Sequence, residues 1–537
     1  MFLILSARTV SEDIALNYGR LPPSFLPLGN QRLFELQKEL AGTDSVAMTV
    51  PDGFAIATID KQAIEALGIR LLPQPSSLSL TDAIKAAVQE LNPQEPLRIL
   101  YGDTLVRLDQ TPSECLAEDR VVFQRTTANY PWAYVLENHE GDRFSDDPPH
   151  RLDTRKVICG DFTFMDCDLL VQACDAGGII DLLNTYNQTR KFSLVEATEW
   201  LDFGHLPLYF QSKKSVMIKR VFNRLDYENH LLIKQSEDTG KIRSEAHWYE
   251  SLPGDLCLHT PRYRGRVERD HLAGYALEYL YLPLLSDLAA FGALPLSSWL
   301  EILNASFEFL DKCQAISPDP GAPEAAPTFA ERFFQDMIVE KTRERLTAYG
   351  DLECVDLHHG FTLNGKVFPP ILQLVDDLIS CIPPTSADHI RFWHGDLFYG
   401  NMFYDFTARR VLAIDPRGQL GNGQACIFGD WRYDLAKLAH SVVGQYDAIL
   451  LGRSQLIEHD PRNWSLHISS QPHQDAMEQI FMTQMEDRYR VTPDELTAMT
   501  ALLFFSMLPL HRDRPDLQRQ MLANGLRLAA KVEGAMR

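Results

Sequence analysis

The sequence predicts an α/β protein in two parts: a mixed sheet with helices on both faces over residues 1–215, then a β-rich lobe over 216–285 and a helical lobe over 286–537. Three observations predict it. Short apolar runs alternate with helical patterns through the first part, strand patterns cluster just after Val221, and amphipathic helix signals dominate beyond Ser298. A chain of 537 residues has room for about three or four folding units, each with its own core.

In the first part, residues 2–5 read as a buried strand and 33–40 as a helix. An apolar run at 53–59, a helix at 81–91 and a run at 97–101 that ends in Gly102-Asp103 follow. Such alternation makes a largely parallel sheet, and ligands then bind beyond the carboxyl ends of its strands, where Asp103 falls. In the second part, 222–234 reads as two short strands around a polar turn, 241–252 as a helix and 275–280 as a further strand. Ser298-x-x-Glu301 reads as a capping box opening a helix through Cys313. The Pro/Ala-rich stretch 317–328 reads as a loop. Thr492-Pro493-Asp494-Glu495 reads as a second capping box, with proline at the first helical position.

A net charge of −22 argues against a nucleic-acid or anionic-membrane partner, because phosphate backbones are bound through clustered Lys and Arg. Its plain reading is solubility; an acidic surface also favours cationic substrates. Nine cysteines lie scattered without a CxxC pair or zinc spacing, as buried thiols of a reducing compartment would. The start has no basic n-region, and the apolar stretch 501–510 is about half a membrane span. The chain is therefore expected in the cytoplasm, without membrane insertion.

The densest chemistry lies in His394-Gly-Asp396-Leu-Phe-Tyr-Gly-Asn401, followed by Val411-Leu-Ala-Ile-Asp415-Pro-Arg417. Phosphoryl transfer needs an aligned acceptor hydroxyl, a group that receives its proton, and magnesium to neutralise phosphate charge. A carboxylate and an amide five residues apart on one loop, with a second carboxylate delivered by the next strand, meet those needs. The motif resembles the aminoglycoside phosphotransferase and choline kinase family, and Gly429-Asp430-Trp-Arg-Tyr-Asp434-Leu-Ala-Lys437 is similar to the segment that braces its catalytic loop. The resemblance implies a two-lobed, protein-kinase-like fold. In it Asp396 is the catalytic base, Asn401 and Asp415 are magnesium ligands, and His394, Asp430 and Asp434 are structural. The bland reading of these residues is turn aspartates and a helix cap.

Upstream, a strand lysine paired with a helical glutamate fixes the α- and β-phosphates in such enzymes. Lys234, at the end of an apolar run, and Glu245, on the following helix, fill those places; Lys241, at the helix start, is the poorer lysine. Residues 275–280 look like the hinge, with Glu278 and Leu280 presenting backbone groups to adenine. The turn 223–229 has no glycine, so a glycine-rich phosphate loop is absent. Arg417 could reach a phosphate or the substrate, or brace the acidic site.

The first part resembles the sugar-nucleotidyltransferases in Ile99-Leu-Tyr-Gly102-Asp103, Ile158-Cys-Gly160-Asp-Phe-Thr-Phe164 and Glu199-Trp200-Leu-Asp202-Phe-Gly204. The resemblance implies a magnesium held by Asp103 and Asp202. It departs at the first loop, where Ser6-Ala-Arg8 and Pro22-Pro23 replace the glycines and the lysine that approach and balance a triphosphate, leaving Arg8 or Arg20 as substitutes. The joint expectation is a small-molecule kinase using ATP and Mg2+, coupled to nucleotide activation of a building block for surface polysaccharides, with a possible second nucleoside triphosphate at the first domain. The alternatives are a choline- or aminoglycoside-type kinase carrying a non-catalytic first domain, and a nucleotide-binding assembly without turnover. Joint retention of Lys234, Glu245, Asp396, Asn401 and Asp415 weighs against the last.

Overall fold

The computed structural model describes all residues except 95, 110–113, 139–140, 149–153, 219–224, 229, 270, 320–325, 354 and 534–537, and it divides the chain into two compact units, Met1–Met217 and Ile218–Arg537. The helix Leu206–Ile218 runs to the end of the first unit, past residue 215.

In the first unit, β-branched and leucine-rich runs form four parallel strands in the order Leu97–Tyr101, Phe2–Leu5, Val46–Pro51, Ile69–Gln74. The second of the expected apolar runs is corrected here. Val46–Pro51 is the strand, whereas residues from Thr58 enter the helix Thr58–Ala66, because Gly53 at φ +75° turns the chain out of the sheet. Beyond Leu97–Tyr101 the sheet becomes antiparallel, through Arg155–Phe164 and then Arg120–Thr126. Alternation along Phe2–Leu5 sorts the core. Leu3 and Leu5 join Ile84, Val88, Leu170, Leu182 and Tyr186 of the helices Leu80–Leu91, Cys167–Ala173 and Ile179–Thr189, while Phe2 and Ile4 are equally buried on the opposite face.

The second unit begins with a four-stranded antiparallel sheet in the order Leu225–Glu228, Leu231–Ser236, Leu272–Glu278, Tyr263–Arg269. The polar strand Tyr263–Arg269 escaped the sequence reading because its burial is only partial throughout. The helix Thr239–Glu250, capped by the Asp238 carboxylate on the Lys241 N–H, packs on this sheet. The capping box at Ser298 is not formed: the helix Leu296–Gln314 starts earlier, after Pro295. At Thr492 half of the box forms, with Thr492 Oγ1 accepting from the Glu495 N–H, while the Glu495 carboxylate turns to Arg432 instead. The remainder is less uniformly helical than expected, since Phe361–Leu363, Lys366–Phe368, Ser454–Asp460 and Asn463–Ile468 make a further four-stranded sheet. Part of the loop 317–328, and residues 223, 224 and 229 of the glycine-free turn, fall outside the described residues. His230, which closes that turn, takes φ +66°, a left-handed conformation glycine would adopt at no cost.

Candidate functional sites

In the second unit the hairpin Met402–Asp405/Arg410–Ala413 explains the motif spacing. Met402 pairs with Ala413 and the Ile414 N–H donates to Asn401 O at 2.9 Å, so Asn401 and Asp415 emerge side by side from one end of the hairpin. Asp415 is held at φ +56°, an uncommon conformation for a residue with a side chain, and one that collects at functional sites. The chain then folds back against the helix Thr239–Glu250. Gly418, at φ +64°, lies so close that a Cβ there would meet Ser244 O at 2.4 Å. The requirement for glycine is steric on both counts.

Lys234 and Glu245 meet: Lys234 Nζ donates to Glu245 Oε2 at 2.8 Å and lies 3.0 Å from Asp415 Oδ1. Tyr275 OH donates to the same Glu245 oxygen at 2.9 Å. Burial lowers the Lys234 pKa, but Asp415 and Glu245 more than reverse this and the ammonium stays charged. Glu245 is 3% exposed and Asp415 41%, so the glutamate is an internal anchor while the aspartate remains open to a ligand. Lys241 approaches Glu245 only to 4.0 Å and is exposed. Glu278 ends its strand exposed, with its N–H donating to Arg262 O, and Leu280 is half-buried just beyond.

Asp396 is set by one amide and an ammonium. Asn401 Nδ2 donates to Asp396 O at 2.9 Å and to Oδ2 at 3.2 Å, and Lys437 Nζ donates to Oδ1 at 2.8 Å. Burial pushes the Asp396 carboxyl pKa up, yet Lys437 outweighs it and holds the group below its ordinary value, ionised at neutral pH. Lys437 was legible only as part of the bracing segment; its aim at Asp396 is a tertiary fact. It stands three residues along the helix Trp431–Val442 from Asp434, whose carboxylate accepts the His394 and Gly395 N–H groups, each at 2.7 Å. His394 is fully buried, burial lowers its pKa to about 4, and its Nδ1 accepts the Asp396 N–H at 3.3 Å. Asp430 caps the same helix and is paired with buried Arg432, which also donates to Glu495 at 2.7 Å. Arg417 directs Nε to Gln419 O at 3.0 Å, a bracing contact within its own loop.

The donor set suits a hard cation. Asn401 uses its amide nitrogen on Asp396, which leaves the carbonyl oxygen, and Asp415 offers a partly open carboxylate. Among the described residues no cluster of three or more His, Cys, Asp or Glu forms a metal cage. That matches the sparse protein ligation typical of magnesium bound together with phosphates.

In the first unit, the short strand Thr104–Arg107 pairs antiparallel with Glu199–Asp202, opposing Thr104 to Asp202 and bringing Asp103 beside the same corner. Gly204 separates the two carboxylates. A Cβ there would lie 2.5 Å from Asp103 Oδ2 and 3.4 Å from Asp202 Oδ1. Asp202 accepts from the Gly204 N–H and the Trp132 indole, both at 2.7 Å, and faces His205 Nδ1 at 3.1 Å. Burial, then the Asp202 charge, raises the Asp103 pKa to about 6. Two cavities of about 330 and 320 Å3 meet at Tyr101 and Asp103. Arg8 and the chain through Ser11 line the first, and among the described residues Arg8 is its only lysine or arginine; Trp132, Trp200 and His205 line the second. Arg8 donates to Leu78 O at 2.8 Å, and Pro23 lines the same cavity. Gly160, at φ +75° within a bulge between Ile158 and Phe162, gives the Tyr101 ring its place; a Cβ would lie 2.5 Å from it.

Among the described residues no helix is long and apolar enough to cross a membrane, and the cysteines are free thiols. No protein-family model and no curated protein sequence matches the chain. Solved structures do, over its N-terminal part. A nucleoside-diphosphate-sugar pyrophosphorylase from Vibrio cholerae is 14% identical over 40% of this chain and 100% of its own, with a TM-score of 0.33. The inositol-1-phosphate CTP transferase of T. maritima is 11% identical over 40% of this chain and 95% of its own, with a TM-score of 0.32. A CMP:2-keto-3-deoxy-manno-octonic acid synthetase is 15% identical over 41% of this chain and 99% of its own, with a TM-score of 0.30.

Proposed function

We propose that the second unit is an ATP-dependent kinase of a small-molecule hydroxyl. The observation that carries this is the joint placement of Lys234, Glu245 and Asp415 at one corner and Asp396, Asn401 and Lys437 at the next, each carboxylate set within 3.0 Å of an ammonium. In this reading Glu245 fixes the Lys234 ammonium toward phosphate oxygens. Asn401 and Asp415 would hold Mg2+, which would neutralise phosphate charge while ATP supplies the phosphoryl group. Asp396 orients the acceptor hydroxyl and receives its proton at the carboxylate, while Lys437 keeps that carboxylate ionised between turnovers. Glu278 and Leu280 present the backbone edge to adenine.

The first unit, with Asp103 and Asp202 as its magnesium pair, extends the proposal to nucleotide activation of the phosphorylated product. Arg8 stands where a triphosphate needs countercharge. Phosphorylation and nucleotidyl transfer would then be consecutive steps on one chain.

The test is transfer from MgATP to sugars, amino sugars, polyols, amino acids and choline-like amines, run with wild type and Asp396→Asn. Transfer to one class that the variant loses supports the reading. Equal transfer by both proteins removes Asp396 from it, and consumption that requires no acceptor removes the kinase.

A further inference from the structure

The second cavity of the first unit, about 320 Å3, is lined by Tyr101, Trp132, Trp200 and His205 together with Asp103, Asp146 and Asp202, and among the described residues by no lysine or arginine. Its aromatic wall is continuous. The Trp132 and Trp200 rings lie 4.9 Å apart, the Trp132 and His205 rings 6.2 Å, and Tyr130 extends the wall 5.1 Å from Trp132.

The two indole donors that could serve a sugar are engaged within the protein. The Trp132 N–H goes to Asp202 and the Trp200 N–H to Thr104 Oγ1, both at 2.7 Å. Thr104 Oγ1 in turn reaches Cys159 O at 3.2 Å and Leu201 O at 3.4 Å, and His205 faces Asp202 through Nδ1. Those bonds also fix the ring positions before any ligand arrives. What remains of the lining side chains is aromatic surface, carboxylate oxygen, the Tyr101 hydroxyl and His205 Nε2. Such a surface attracts a cation and gives a neutral polyol few donors. If a metal occupies Asp103 and Asp202, Asp146, which is exposed, remains as the carboxylate beside the rings.

We propose that this cavity takes the ammonium head of an organic amine, so that the molecule activated by the first unit is a phosphorylated amino alcohol and not a sugar phosphate. The proposal rests on the nucleotide-activation reading for the phosphate, but the ammonium pocket stands on the lining alone. The same substrate class at the second unit would make an amino alcohol the kinase acceptor.

The experiment is calorimetric titration of the full-length protein, in magnesium buffer without nucleotide, with phosphocholine, phosphoethanolamine and glucose 1-phosphate. Wild type, Trp200→Leu, Trp200→Phe and Asp146→Asn are compared. At least one of the two amines is expected to bind about ten-fold or more tighter than glucose 1-phosphate. Trp200→Leu should lose about ten-fold, Trp200→Phe should keep most of the affinity, and Asp146→Asn, at an exposed position that folding tolerates, should weaken it several-fold. Equal or tighter binding of the sugar phosphate overturns the proposal, as does amine binding that both Trp200→Leu and Asp146→Asn leave intact, which would place the amine elsewhere on the chain. Pyrophosphate release from nucleoside triphosphates is scored separately. Its absence alongside Trp200-dependent amine binding would sink the activation reading and leave the pocket standing.

Discussion

The two units place the carboxylates proposed for metal and phosphate chemistry in opposite electrostatic settings. In the second unit each of them already has an ammonium: Lys234 lies against Glu245 and Asp415, and Lys437 against Asp396. In the first, Asp103 and Asp202 face each other across Gly204 with His205, the Gly204 N–H and an indole N–H beside them, and burial, then the Asp202 charge, pushes Asp103 up to about 6. Balanced charge lets the second site stand assembled without a ligand. In the first, a cation would favour the ionised form of Asp103 further.

The sharpest way to break this comparison is to remove a charge from the second unit. Asp396→Asn should lower phosphoryl transfer by about 10²–10⁴-fold while leaving MgATP affinity within a few-fold, since the carboxylate acts on the acceptor; steady-state kinetics beside calorimetry checks both. Next in size, Arg432→Met leaves the buried Asp430 and Glu495 carboxylates without their cation. It should cost about 3–5 kcal/mol, read by denaturant unfolding in circular dichroism. Lys437→Met tests the ion pair itself. The folded Asp396 pKa is depressed, so its ionised form persists until pH falls below the usual carboxylate range; without Lys437, burial acts unopposed and the acid limb of the pH–rate profile should move to higher pH. An unmoved limb would show that Lys437 does not set that ionisation. The smallest effect belongs to the first unit. Asp103 is raised, so its protonated form persists to about pH 6, and magnesium binding there should weaken as pH falls from 7.5 to 5. Asp103→Asn should flatten that dependence in a metal titration of the full chain.

Two strands buried on both faces were legible in the sequence, 2–5 and 97–101, placed to the residue by their apolar runs, whereas the equally buried Val46–Pro51 was displaced to the run after it. Tyr263–Arg269 and Ser454–Asp460 were not legible, since their sequences are largely polar and their strand state comes from pairing with neighbours. At the sites, residues joined by short spacing were readable. Asn401 and Asp415 are neighbours because one hairpin returns the chain, and Asp396 lies on the same loop. Lys437 and the aromatic wall of Trp132, Trp200 and His205 were beyond reach, because segments about 40 and 70 residues apart meet there and no local pattern records the meeting.

The central claim is that MgATP binds the second unit through Lys234 and Asp415, and calorimetry of the full-length protein tests it most directly. Titration of MgATP into wild type, Lys234→Ala, Asp415→Ala and Asp103→Ala should show binding in wild type and Asp103→Ala, and loss of about ten-fold or more in the other two. Unchanged affinity in both Lys234→Ala and Asp415→Ala, or loss in Asp103→Ala alone, would contradict the account and move the ATP site out of the second unit.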